Sequence, residues 1–158
     1  MIFGVGEGLI VVAELGNSPW TVLAEGVALN TAHSIGAATI AISFVVLLLW
    51  IPLRQLPGLG TIANAIIVGL ALEIPIQALP EDIALGPRWL LMASGIALVA
   101  LGSGFYLTAA LGPGPRDGLM TGLHVRTGRT LRLVRTLIEL GALTGGYLLG
   151  GTVGIGTV

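Results

Sequence analysis

The chain has 158 residues, of which 54% are hydrophobic and only 9% are charged, and its formal net charge is −1. About a quarter of the residues of a soluble domain are charged, so this composition indicates a chain surrounded mostly by lipid. The balanced charge argues against a nucleic-acid partner. The absence of cysteine excludes disulfides, thiolate catalysis and cysteine metal sites among these residues.

The apolar runs predict an all-α membrane protein, a helical bundle that forms a single transmembrane domain over residues 1–158. Residues 1–15 are apolar but fall short of the roughly 20 residues that a span needs. Full spans are predicted at 34–51, 61–79, 89–111 and 130–149.

Two connecting segments begin with the same signal. In the first, Asn17-Ser18-Pro19 places a capping side chain before a proline whose missing N–H costs nothing in the first turn of a helix. This predicts a short helix that lies at the membrane interface or dips into the membrane. The second segment, 112–129, has Pro115 at the matching place and is rich in arginine.

The sequence overlays on itself without a gap when it is shifted by 96 residues. The matches include Pro19 with Pro115 and the glycine-rich 58–61 with 154–157. We therefore predict two repeats, about 1–80 and about 88–158, of three spans each. Because three is odd, the second copy enters the membrane from the opposite side, as in the inverted repeats of secondary transporters. The second repeat stops early, so we expect about five spans here, six in a complete chain, and sequence missing beyond Met1 and Val158.

The arginines predict the orientation. Cytoplasmic loops collect arginine, and the segment 112–129 contains Arg116, Arg126 and Arg129, whereas its partner 16–33 contains none. The segment 112–129 is therefore predicted to be cytoplasmic, and 16–33 and the acidic loop at 81–82 are predicted to be outside. This describes a multi-pass protein of the inner (cytoplasmic) membrane.

Arg116 and Asp117 open the second short helix, and each has two interpretations. Arg116 marks the cytoplasmic side through contacts with headgroups, or it recruits an anionic solute or a cytoplasmic partner. Asp117 caps the helix and complements its dipole, or it pairs with an arginine and takes part in gating.

Arg132, Arg135 and Glu139 lie on one face of the last predicted span. Arg135 can pair with Glu139 four residues later, and Arg132 can reach the cytoplasmic interface. A charge at mid-span costs about 2.5–3.5 kcal/mol on insertion scales. Glu139 is therefore predicted either to form a structural ion pair or to serve transport or proton coupling. The same alternatives hold for Glu7 and Glu73.

Several motifs resemble one family. AELGNSPWTVL, LPGLGTIANAIIVGL, ALGPGPRDGLM, RTGRTLRLVRTLIE and GGTVGIGT are similar to segments of the YitT/YczE-like family of bacterial integral membrane proteins. The resemblance covers most of the chain, and GPRDGLM and GGTVGIGT are its most specific parts. It implies a multi-span protein of the bacterial cytoplasmic membrane, often described as a transporter, and it brings no catalytic residues.

These observations predict a secondary transporter of an unknown small molecule or ion. The alternative is a membrane regulator or scaffold that binds a partner through its arginine-rich loop and transports nothing. No residues stand at catalytic spacing, so no enzyme, cofactor or metal site is predicted. The expected partners are the lipid bilayer and a small anionic or polar solute, with the oligomeric state left open. The site is predicted between the elements 16–26 and 112–122, with Glu139 as the coupling residue.

Overall fold

The computed structural model describes residues 1–80, 82–108 and 111–157, and within them the chain forms seven α-helices, one 3₁₀ turn and no strand. Glu81 of the predicted outer loop and Ala110 of the motif ALGPGPRDGLM lie outside the described residues. The helices are α1 Ile2–Ala13, α2 Pro19–Thr31, α3 Ile35–Leu53, α4 Leu59–Ala78, α5 Leu85–Thr108, α6 Pro115–Thr127 and α7 Leu131–Leu148; the 3₁₀ turn is Ile155–Thr157. The predicted all-helical architecture is confirmed.

Corresponding helices start with the same local signals. The hydroxyl of Ser34 accepts the Ala37 N–H at the start of α3, and the hydroxyl of Thr130 accepts the Leu133 N–H at the start of α7. The helices α2 and α6 are each 13 residues long, and each has a proline in its first turn. Their first and last residues are 96 positions apart, since 115 − 19 and 127 − 31 both equal 96.

In the part of the chain that the structure describes, three helices are long and apolar enough to cross a membrane: α3, α4 and the part Leu85–Tyr106 of α5. Large apolar side chains point outward from all three, with Leu48, Leu70 and Leu90 exposed to 63%, 60% and 74%. Such a surface suits lipid rather than water. The other predicted spans, 1–15 and 130–149, also form helices, and their crossing of the membrane stays a prediction.

Small residues bring the helices into close contact. The helix α1 packs between α4 and α5, where Gly4 lies against Val68 and Gly6 lies against Gly95. Each short helix packs on the long helix of the other half, α2 on α7 and α6 on α3. The first of these contacts joins Gly26 to Gly146, and the second joins Gly118 to the ring of Trp50.

Two glycine turns lead into the short helices. Gly16 and Gly112 have φ values of 118° and 112°, which side chains other than glycine rarely tolerate. The carbonyl before each glycine accepts a backbone hydrogen bond from a distant glycine-rich turn. These bonds run from Gly156 to Leu15 (2.9 Å) and from Gly60 to Leu111 (3.0 Å). Both turns bend the chain back into the bundle, so α2 and α6 begin inside it.

Candidate functional site

The start of α2 lies beside the middle of α1. Glu7 of α1 is only 4% exposed, and its carboxylate oxygen Oε2 accepts hydrogen bonds from Thr21 Oγ1 at 2.6 Å and from Ser18 Oγ at 3.1 Å. Ser18 is the N-cap residue of α2, and Thr21 is in its first turn. The turn at Gly16 makes this contact possible, because it reverses the chain after α1.

The start of α6 lies against the start of α2. The guanidinium carbon of Arg116 is 5.1 Å from the ring centroid of Trp20, within the range of a cation–π interaction. Arg116 is partly buried, and it forms no hydrogen bond or ion pair with any of the described residues. A guanidinium has five N–H donors, so this side chain retains its full capacity to bind an acceptor.

A second acid lies next to Arg116. Asp117 accepts a short hydrogen bond from the hydroxyl of Tyr106, which is on α5. The Tyr106 ring in turn packs edge-on against Phe3 of α1, with 6.4 Å between the ring centroids. Four helices, α1, α2, α5 and α6, therefore contribute to one group of polar side chains. We call it the central polar cluster: Glu7, Ser18, Trp20, Thr21, Tyr106, Arg116 and Asp117.

The cluster has unsatisfied polar atoms at its edge. Trp20 is 8% exposed, and among the described residues neither its indole N–H nor Asn17 Oδ1 has a hydrogen-bond partner. Buried polar atoms are normally paired, and each exception requires an explanation such as a ligand or an ordered water. Asn17 precedes Ser18 and Trp20 follows it by two residues, so the unpaired atoms belong to the same segment as the hydroxyl that binds Glu7.

A cavity of about 390 Å³ reaches the cluster at Tyr106. It lies between α1, α4 and α5, and its lining is mostly apolar, with the amide of Asn64 and the hydroxyl of Tyr106 as its polar groups. The lining residues are Met1, Ile2, Phe3, Gly60, Asn64, Ile67, Val68, Gly102, Phe105 and Tyr106. Tyr106 connects this cavity to the cluster, because its hydroxyl donates to Asp117.

The predicted site residues separate into two groups. Glu7, Arg116 and Asp117 come together in the central polar cluster. Arg135 and Glu139 form the predicted ion pair, with 2.8 Å between Nε and Oε1, and their side chains are 66% and 32% exposed. Among the described residues Glu139 forms no hydrogen bond with a member of the cluster, and Arg132 of the same helix is exposed, so the coupling role of Glu139 stays a prediction.

Two acids outside the cluster have local partners. Glu73 accepts the Gly36 N–H at the start of α3, where a negative charge complements the helix dipole. Glu14 pairs with Arg88 at 2.6 Å. This pair gives Arg88, the one cation on the predicted outer side, a local partner for its charge.

Sequence reasoning missed Ser18, Trp20, Thr21 and Tyr106 as site residues. Ser18 has the appearance of an ordinary helix cap, and Trp20 that of an interfacial anchor. One signal was available: Trp20 and Arg116 are 96 positions apart. In the predicted inverted repeat these are equivalent positions, and equivalent positions contact each other only near a two-fold axis, where a shared site is expected.

An all-helical bundle with three helices fit to cross a membrane, apolar outside and polar at its centre, defines an integral membrane protein. Over residues 1–158 the chain belongs to the family described as Family of unknown function (DUF6198). The resemblance to YczE-like proteins is confirmed by the relatives.

Three relatives cover nearly the whole chain. An uncharacterized protein of Haemophilus influenzae is 45% identical over 157 residues, which are 99% of this chain and 72% of the relative. The uncharacterized membrane protein YczE of Bacillus subtilis is 28% identical, with 100% of this chain and 74% of the relative aligned. The uncharacterized protein YyaS of Bacillus subtilis is 26% identical, with 100% and 81% aligned. No solved structure matches the chain.

Proposed function

We propose that the protein is a secondary transporter of the cytoplasmic membrane, and not an enzyme, and that it binds a small anionic or polar solute at the central polar cluster. The observation that carries this proposal is Arg116. A charged side chain inside a membrane protein is costly and normally has a partner, yet among the described residues this guanidinium forms no hydrogen bond or ion pair and lies over the face of Trp20. A solute with a negative charge or a carbonyl oxygen would satisfy it.

The arrangement of the short helices supports the same function. Both α2 and α6 begin inside the bundle, and the first turn of a helix offers free N–H groups and the positive end of the dipole. Broken helices whose N-termini point at an anionic solute group are typical of transporters with inverted repeats. The cation–π contact between Trp20 and Arg116 links the first turns of the two helices through their side chains.

We also propose that the chain is an inverted repeat, with 112–129 on the cytoplasmic side and 16–33 outside. The equivalent hydrogen bonds at the two glycine turns support this, because each bond maps onto the other by a shift of 96 residues. In addition, Thr61 Oγ1 accepts the Gly58 N–H and Thr157 Oγ1 accepts the Gly154 N–H, again 96 positions apart.

A second function is favoured by one observation. Arg126, Arg129 and Arg132 are exposed and have no carboxylate partner among the described residues. Such a surface would suit a regulator or scaffold that binds an acidic partner through its cytoplasmic side. Solute flux separates the two functions, because a scaffold would move nothing.

The test begins with a thermal-shift screen of the purified full-length protein against small anions and polar metabolites. Any solute that raises the melting temperature is then tested for uptake into proteoliposomes. Arg116→Gln should abolish both stabilisation and uptake. Arg132→Gln, which removes an exposed arginine, is the matched control and should preserve both.

Two results would contradict the proposal. If Arg116→Gln and Arg132→Gln lose stabilisation and uptake equally, the solute binds through surface charge. A solute that needs Arg116 for binding but never accumulates in the vesicles would favour the regulator.

A further inference from the structure

The carboxylate of Glu7 is held in the way that an anionic ligand would be held. Two hydroxyl groups donate to it, from Thr21 at 2.6 Å and from Ser18 at 3.1 Å. Both belong to the start of α2, so the positive end of the helix dipole faces the same carboxylate. Glu7 is 4% exposed, and therefore these groups replace water as its solvent.

The charged side chains of the surrounding helices leave Arg116 as the counter-charge for Glu7. On α4, Glu73 binds the start of α3. On α5, Arg88 pairs with Glu14, and Tyr106 donates to Asp117 of α6. The acid of α2, Glu25, accepts hydrogen bonds from Asn17 and Thr152. Each of these groups therefore has another partner, whereas Arg116 forms no hydrogen bond or ion pair with any described residue.

The groups around Glu7, namely Ser18, Trp20, Thr21 and Arg116, form a cradle for its carboxylate. This cradle contains more hydrogen-bond donors than the carboxylate uses. The guanidinium of Arg116 has no acceptor among the described residues, and the buried indole N–H of Trp20 has none either. Trp20 is next to Thr21 in the first turn of α2. The polar surroundings of Glu7 are thus larger than one carboxylate requires.

We propose that Glu7 is a tethered occupant of an anion site, and that a small monovalent anion takes its place when Glu7 is protonated. This deepens the proposed function and rests on it. A proton on the carboxylate removes its negative charge, so the hydroxyls of Ser18 and Thr21 become free to donate to the anion, together with Arg116. When the anion leaves, Glu7 gives up the proton and returns to the hydroxyls.

The exchange leaves the charge of the site unchanged. One proton enters with one anion, so the interior never has to hold a second net negative charge. Two like charges a few ångströms apart repel strongly where the effective dielectric constant is low. The proposal therefore specifies the solute as a monovalent anion, the coupling ion as a proton, and the ratio as one to one.

The experiment uses formate, which is a carboxylate of minimal size, and the purified full-length protein. The melting temperature is measured between about pH 8 and about pH 5.5 with formate or with the same ionic strength of gluconate. Formamide, which is uncharged and nearly the same size, is the chemical control. Glu7→Gln imitates the protonated acid, and Glu25→Gln is the matched variant of an acid outside the cluster.

We expect formate to stabilise the wild type increasingly as the pH falls, because protonation vacates the cradle. Glu7→Gln should be stabilised equally at every pH, by about 5–10 °C at about 100 times the Kd. Glu25→Gln should behave like the wild type, and formamide should have no effect. Adding Arg116→Gln to Glu7→Gln should abolish the stabilisation by formate.

Formate stabilisation of the wild type that does not change with pH would overturn the inference, as would formamide acting like formate. If Glu7→Gln does not fold, the pH series of the wild type decides alone. The outcome is distinguishable from failure of the transport proposal. If formate binds as expected but no anion is taken up, the transport proposal fails and the role of Glu7 stands. If an anion is taken up but formate shows no pH-dependent effect, the role of Glu7 fails and the transport proposal stands.

Discussion

The two short helices have the same backbone setting and different chemistry. Both follow a glycine with positive φ, start with proline and pack on the long helix of the other half. Yet the first turn of α2 contains Trp20 and Thr21, whereas the matching positions of α6 contain Arg116 and Asp117. The comparison teaches that two similar turn–helix segments can present different chemistry, because the turns depend on glycine and proline and the chemistry depends on the residues after them.

The largest expected effect is at the two glycine turns. A side chain at Gly16 or Gly112 would be strained at positive φ, and its Cβ would lie 2.7 Å from Gly154 N or from Thr61 Oγ1. Strain and overpacking together should lower the free energy of unfolding by about 2–4 kcal/mol for Gly16→Ala and for Gly112→Ala. Thermal unfolding in detergent measures both.

Gly104→Ala is the control for these substitutions. Gly104 lies within α5, and nothing lies within 4 Å of a Cβ there, so alanine should be neutral or stabilise by up to about 1 kcal/mol. If Gly16→Ala and Gly112→Ala lower the free energy of unfolding by comparable amounts, the result supports the equivalence of the two turns. If one of them tolerates alanine as Gly104 does, the two turns are not equivalent.

The frame itself was largely predictable from the sequence. Proline, capping residues and glycine act locally, so Asn17-Ser18-Pro19 and Gly114-Pro115 indicated the starts of α2 and α6 correctly. The cluster was only partly predictable. Glu7 reaches Ser18 and Thr21 because Gly16 reverses the chain, and no helical periodicity describes a contact made across such a turn. Burial also depends on neighbouring helices, so the pattern of α7 alone could not decide whether the pair of Arg135 and Glu139 lies at the centre of the bundle.

A smaller effect is expected at the two threonines that follow the glycine-rich turns. Thr61 is 0% exposed, donates to the Pro113 carbonyl at 2.8 Å and accepts the Gly58 N–H. Thr61→Val should therefore cost about 1–3 kcal/mol, since it leaves buried polar groups unpaired. Thr157 is partly buried and accepts the Gly154 N–H, so Thr157→Val should cost about 0.5–1.5 kcal/mol. Chemical denaturation of the two variants gives the difference, and a larger loss at Thr157 would contradict this ranking.

The smallest effect is expected at the ion pair of α7. Arg135 and Glu139 pair along one face of α7, and replacing both by glutamine removes the pair without leaving a single unpaired charge, so the stability should change by about 0.5 kcal/mol or less. We expect Glu139→Gln to keep both folded yield and solute uptake, unlike Arg116→Gln. Loss of uptake with normal yield in Glu139→Gln would instead support the role in coupling that the sequence predicted for it.

The orientation of the two halves can be measured directly, because these 158 residues contain no cysteine that would compete with an introduced one. His33 and Arg129 are both exposed, and they are 96 positions apart. The measurement is the labelling of His33→Cys and Arg129→Cys in intact cells by a maleimide that does not cross membranes. The account predicts that Cys at position 33 reacts from outside and that Cys at position 129 reacts only after the cells are opened. Labelling of both positions from the same side would contradict the inverted repeat, and with it the site proposed between its halves.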